Sequence, residues 1–134
     1  VGLTRGVEKD QFIRATLESL AYQSADVIRA MQADAGVNLK SIHVDGGACA
    51  NNFLMQFQAD ILDAEIARPK MIESTALGAV YLAGLSVDFY TDRQDIIKNM
   101  AIDRVFTPAM DAAKREQLLA GWKKAVECTF NWAR

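Results

Sequence analysis

Val44-Asp45-Gly46-Gly47-Ala48-Cys49-Ala50-Asn51-Asn52 joins two different periodicities, and its reading decides the fold. On its N-terminal side, Ser41-Ile42-His43-Val44 is short and partly β-branched and ends at Asp-Gly-Gly, which predicts a strand over 41–44 running into a glycine turn. On the other side, Asn51 or Asn52 caps a helix reaching about residue 63, with Phe53, Leu54, Phe57 and Ile61 facing inward. Ligands of open α/β sheets bind beyond the carboxyl ends of the strands, where this loop lies. Paired glycines let a backbone approach a ligand with no Cβ in the way. The start of the next helix offers unpaired N–H groups and a positive dipole end, which suit a phosphate. Asn51 can cap that helix or hydrogen-bond a base or ribose edge. On spacing alone, the same residues also make an ordinary strand-to-helix turn, which is the commoner outcome.

Working outward, residues 9–35 predict one long helix. Its apolar stripe comprises Ile13, Leu17, Leu20, Ala21, Ile28, Met31 and Ala35, and Gly36 stands at the C-cap. Glu65-Ile66-Ala67-Arg68 is a second short strand, stopped by Pro69. Residues 74–83 form a third helix, apolar nearly all round, which is expected to be buried, with small residues that admit another backbone. A short helix over 92–100 and an extended piece, Arg104-Val105-Phe106-Thr107, follow. Asp111 then opens a last helix with Leu118, Trp122, Ala125, Val126, Thr129 and Ala133 along one side. Helices alternating with short strands argue for an α/β layered domain built on a parallel strand pair. Two strands make a marginal sheet, so further strands are expected upstream of Val1.

Composition narrows the function classes. The chain has 134 residues, which suits one domain, and 51% are apolar, enough for a single core. No apolar run approaches the ~18–20 residues of a spanning helix, and Val1-Gly2-Leu3-Thr4-Arg5 is not a signal peptide, so no membrane partner is expected. The absence of an initiator Met suggests an internal piece of a longer chain. The formal charge is −2 with acids and bases interspersed, and no basic stripe marks a nucleic-acid partner. The pairs Lys114-Arg115 and Lys123-Lys124 are expected on a solvated helix face. Cys49 and Cys128 belong to no metal or redox motif, which points to a reducing, cytoplasmic setting.

Other reactive-looking residues weigh less. His43 alternates out of the apolar face of its strand and suits a surface position better than a base. Glu73 fits a first-turn acid beside a helix dipole. Trp122, Phe130 and Trp132 could form a stacking platform, although packing is the better assignment for Trp122. Met31, Met55, Met71, Met100 and Met110 are expected as scattered gap-fillers, and no metal site is expected.

The stretch from Val44 to Leu62, with Asp45-Gly46-Gly47 followed by Asn51-Asn52-Phe53-Leu54-Met55-Gln56, resembles the adenosine motif of the glycerol kinases. These are carbohydrate kinases with the actin–hexokinase (ribonuclease H-like) ATPase fold. Gly2-Leu3-Thr4-Arg5-Gly6, Ile13 to Gln23, Thr75 to Leu85 and Gly121 to Val126 resemble the same family in the same order. The resemblance implies that residues 1–134 are the second half of a C-terminal nucleotide-binding lobe. There Gly47 lies against adenosine and α-phosphate, Gly46 allows the turn, and Asn51 contacts the nucleotide. It implies ATP with Mg²⁺, transfer of the γ-phosphoryl group to glycerol, and a homo-oligomer. No acid here matches the family's catalytic aspartate, so the base, the metal ligands and the glycerol contacts are expected upstream, and the piece alone is expected to be inactive. Asp45 matches a family position whose role is open between turn capping and ligand contact. The alternatives are another sugar or polyol kinase of the family, or a non-enzymatic α/β interaction module.

Overall fold

A computed structural model describes residues 1–131. The order is α1 (Lys9–Ala35), β1 (Ser41–His43), a 3₁₀ turn (Gly47–Ala50), α2 (Asn52–Leu62), β2 (Glu65–Pro69), α3 (Ser74–Ser86), α4 (Arg93–Asn99), β3 (Ile102–Phe106) and α5 (Ala112–Glu127). Helix α1 has the expected bounds. Gln11 accepts from the backbone N–H of Glu8 at its start, and Gly36 ends it in the left-handed region at φ 64°. Helix α5 stops at Glu127, and Thr129 lies in the turn beyond it. The expected continuation to Ala133, and Trp132 with it, fall outside the described residues.

The sheet is mixed and three-stranded, in the order β1-β2-β3. Strands β1 and β2 are the expected parallel pair, with Ile42 opposite Ile66. The stretch expected only as an extended piece is a third strand, antiparallel to β2, with Phe106 opposite Ile66. The register breaks between Arg68 and Pro69, where proline has no N–H to continue the ladder. Among the described residues, strand β1 has one neighbour and an open edge.

The core lies where α1, α2 and α5 cover the sheet. Helix α2 contributes Leu54, Met55, Phe57, Ala59 and Ile61, joined by Ile66 and Phe106 from the strands. Phe53, expected inward, is 39% exposed and stacks on Phe57 instead. The stripe expected on α1 is also displaced. Its buried residues are Ala21, Tyr22 and Ala25, while Ile13, Leu20 and Met31 are exposed: only the middle of this long helix meets the other layers, and the face buried there carries Ala21, Tyr22 and Ala25 rather than Leu20. Tyr22 is the hinge of that contact. Its ring packs edge-on against Phe57 and stacks on Trp122, whose indole N–H donates to Asp26 at 2.8 Å. Burial, reinforced by the nearby Glu18 carboxylate and opposed by Arg14, pushes the Tyr22 hydroxyl up to about 12. Trp122 is thus a packing residue, and Phe130 stands exposed.

Three further expectations change. Of the five methionines, Met55 is buried and Met110 packs on the core, but Met31, Met71 and Met100 are exposed. Arg115, expected on a solvated face, is 12% exposed: its guanidinium pairs with Asp63 at 2.9 Å and donates to the Asp60 carbonyl at 2.8 Å. Helix α3 has no buried residue, with Val80 and Leu82 57% and 71% exposed. Its composition called for a cover, but the other elements pack on one another and leave it outside. Of its two glycines, Gly84 is abutted by the Tyr90 ring, whereas a Cβ added at Gly78 would meet nothing within 4 Å. Among the described residues, no helix is long and apolar enough to cross a membrane.

Candidate nucleotide-binding loop

The loop is built from the end of β1. Val44 donates to the carbonyl of Ala67 at 3.2 Å, extending the parallel pairing by one bond. The chain then turns at Gly46, whose φ of 82° and ψ of 163° lie in a region open essentially to glycine. The Gly46 N–H donates to the Ile72 carbonyl at 2.7 Å, and the Asp45 carboxylate accepts from the Ser74 hydroxyl at the first residue of α3. Asp45 is therefore bound within the chain, tying the loop to the segment entering α3. Glu73 sits at the N-cap of that helix with no side-chain cap bond, and His43 is exposed on β1 as expected.

Between Gly46 and α2 the backbone coils into the 3₁₀ turn, which the sequence pattern did not anticipate. Gly47 is its first residue and, unlike Gly46, does not occupy positive φ. An ideal Cβ placed on Gly47 meets no atom within 4 Å. Neither backbone strain nor crowding inside the chain requires glycine here; what glycine does is leave the space above the turn open. Asn51 caps α2, its side-chain oxygen accepting from the Leu54 N–H at 3.1 Å. Oxygen is thereby committed to the helix, which leaves the NH₂ of the same amide as the donor that this exposed residue can offer a ligand.

The structure brings Gly46, Gly47 and Asn51 together on one turn at the carboxyl end of the sheet. Behind the turn, an open recess of about 450 Å³ is lined by Leu20, Ser24, Asp45, Ala48, Cys49 and Met55, among others. A roomier cleft of about 700 Å³ lies between α1 and α5, away from the loop. Cys49 is 2% exposed; burial pushes its thiol up, against the lowering effect of Arg68 and together with Asp45 and Glu73. Both cysteines are free thiols.

One residue at the loop escaped the sequence reading. Arg68, 12% exposed, reaches from β2 under the turn. Its Nη1 donates to the carbonyls of Cys49 at 3.0 Å and Ala50 at 3.2 Å and to the side-chain oxygen of Asn52 at 2.9 Å. Asp103 on β3 holds the other side of the guanidinium, 2.9 Å from Nε and 2.7 Å from Nη2. The only sequence signal was an arginine in a short strand directly before Pro69.

Comparison with known proteins decides the family. The profile of the FGGY family of carbohydrate kinases, C-terminal domain, matches residues 1–87. The chain belongs to this family. Among FGGY relatives, it is 62% identical to the glycerol kinase of Caldanaerobacter subterraneus subsp. tengcongensis, over 99% of this chain and 27% of that protein. The glycerol kinase of Thermoanaerobacter pseudethanolicus is 60% identical over the same shares. The chain thus spans about a quarter of the length of the curated relatives it matches. Among solved structures, the Plasmodium falciparum glycerol kinase with ADP superposes with a TM-score of 0.83 at 37% identity, over 97% of this chain and 26% of that one. The ligand-bound xylulose kinase of Lactobacillus acidophilus, at 24% identity and a TM-score of 0.74 over 98% of this chain and 27% of that one, shares the fold. The FGGY assignment and these superpositions identify the actin-like ATPase fold, with a mixed sheet that contains the expected parallel pair.

Proposed function

We propose that this chain is the adenosine-binding part of an ATP-dependent glycerol kinase, which transfers the γ-phosphoryl group of ATP to a terminal hydroxyl of glycerol and yields glycerol 3-phosphate. The observation that carries this is the 62% identity to a glycerol kinase across nearly the whole chain; the superposition on a glycerol kinase with ADP supports it. In this reading Gly46 sets the turn and Gly47 keeps the space that adenosine and the α-phosphate occupy. The NH₂ of Asn51 donates to the nucleotide. Phosphoryl transfer needs little covalent help from the protein and depends on positioning and charge neutralisation, so a loop that fixes the nucleoside contributes directly to rate.

The remaining machinery is assigned to polypeptide outside these 134 residues. Mg²⁺ would accompany ATP, but among the described residues no group of three His, Cys, Asp or Glu could hold a metal. The loop's own carboxylate, Asp45, is engaged by Ser74. The exposed helix α3 and the open edge of β1 fit the same division, because an unpaired edge and an apolar helix both call for a cover. We assign the protein to the cytoplasm and expect a homo-oligomer. The test is a coupled ADP-release assay on the full-length protein and on the 134-residue chain. Glycerol-dependent turnover is expected from the first and none above background from the second. Turnover of a sugar in preference to glycerol would replace the substrate, and glycerol turnover by the short chain would overturn the division of labour.

A further inference from the structure

We infer that Arg68 is the positioning residue that fixes the nucleotide loop, holding the 3₁₀ turn between Gly47 and Asn52 in the shape that leaves the space above Gly47 open. The inference deepens the reading of the loop as an adenosine site and rests on it. Three of its acceptors, two main-chain carbonyls and one side-chain oxygen, lie on consecutive parts of the turn, and all three are reached by a single nitrogen, Nη1. Such a short 3₁₀ segment leaves its last carbonyls without helical partners, so a planar, always-charged donor beneath them satisfies groups that water would otherwise compete for.

The guanidinium is itself fixed from two other directions. Asp103 binds its Nε and Nη2, and the Phe106 ring lies 5.3 Å from its central carbon. Arg68 thereby connects β2, β3 and the turn, and displacement of any one of them is felt at Cys49 and Ala50. Lysine cannot reproduce this arrangement, because a single ammonium cannot engage Asp103 along one side of a plane and the turn along another. Of the loop's other restraints, the Gly46–Ile72 and Asp45–Ser74 bonds act at its entrance and the Asn51 cap at its exit. Arg68 acts on the segment between the glycines and the helix.

Cys49 gives a readout independent of activity, since it sits inside the turn and is 2% exposed. The experiment compares wild-type, Arg68→Met, Arg68→Lys and Asp103→Ala forms of the full-length protein. It measures N-ethylmaleimide labelling of Cys49 by peptide mass spectrometry, ADP affinity by calorimetry, and the KM values for ATP and glycerol. Arg68→Met is expected to speed Cys49 labelling at least tenfold and to weaken ADP at least fivefold, with the KM for glycerol unchanged. Arg68→Lys should recover less than half of either loss, and Asp103→Ala, at a half-exposed position, should give a smaller change in the same direction. If Arg68→Met does not fold, Asp103→Ala decides by the same two readouts. Unchanged labelling, or faster labelling with unchanged ADP affinity, overturns the inference. A wild-type protein that binds no ADP overturns the nucleotide reading, and the inference about nucleotide positioning with it.

Discussion

The loop at residues 45–52 and helix α3 touch through the Asp45–Ser74 hydrogen bond, yet they are held in opposite ways. The turn is fixed by directional contacts that all lie within the chain: the Arg68 fork, the Gly46–Ile72 bond and the Asn51 cap. Helix α3 is far more apolar than the turn and has no buried residue. The contrast separates two kinds of specification. A polar turn carries its partners with it, because hydrogen bonds act over about 3 Å and must be satisfied locally. An apolar helix specifies only that something should cover it, and the hydrophobic effect, being non-directional, does not say what.

The sharpest way to probe this contrast is to truncate one apolar side chain on each side of it. Ile61, fully buried near the far end of α2, the helix that the turn opens, should lose about 2–5 kcal/mol of stability as Ile61→Ala, through lost burial and the cavity left behind. Leu82→Ala in α3 should change the stability of this chain by no more than about 0.5 kcal/mol, since Leu82 is 71% exposed. Urea denaturation of both variants measures the difference. Equal losses would mean that α3 is packed in solution and that the contrast is false. A smaller effect sharpens the other side: Asn51→Ala removes the α2 cap and should cost about 1 kcal/mol in the same titration. A loss near zero would release Asn51 from the helix and leave ligand contact as its only role.

Much of the architecture was legible because local chemistry is repetitive. The bounds of α1, the Asn51 cap, the parallel strands at Ile42 and Ile66, and the start of α5 at Asp111 all follow from periodicity and capping residues. The loop was legible as a candidate from its two glycines, and the geometry then divided their roles, giving Gly46 the positive φ and Gly47 the open space. What escaped depends on atoms distant in sequence. Arg68 and Arg115 look like ordinary surface cations until the carbonyls and carboxylates that receive them are placed by the fold. The pairing of Ile102–Phe106 with β2 required knowing which edge was free. The exposure of α3 and of the ends of α1 could not be read from their own patterns, because a stripe reports what a helix can bury and not whether a partner is present.

The central claim is that residues 46–51 receive the nucleotide and that Gly47 is glycine for the ligand's sake. The most direct test is ADP calorimetry on the full-length protein beside a urea titration, for wild type and Gly47→Val. With no atom within 4 Å of an added Cβ and no positive φ to violate, the substitution should change stability by less than about 1 kcal/mol. It should also weaken ADP at least tenfold, a change of about 1.4 kcal/mol. Unchanged ADP affinity with stability intact would mean that the space above Gly47 holds no nucleotide, and the loop would then be only a turn between strand and helix.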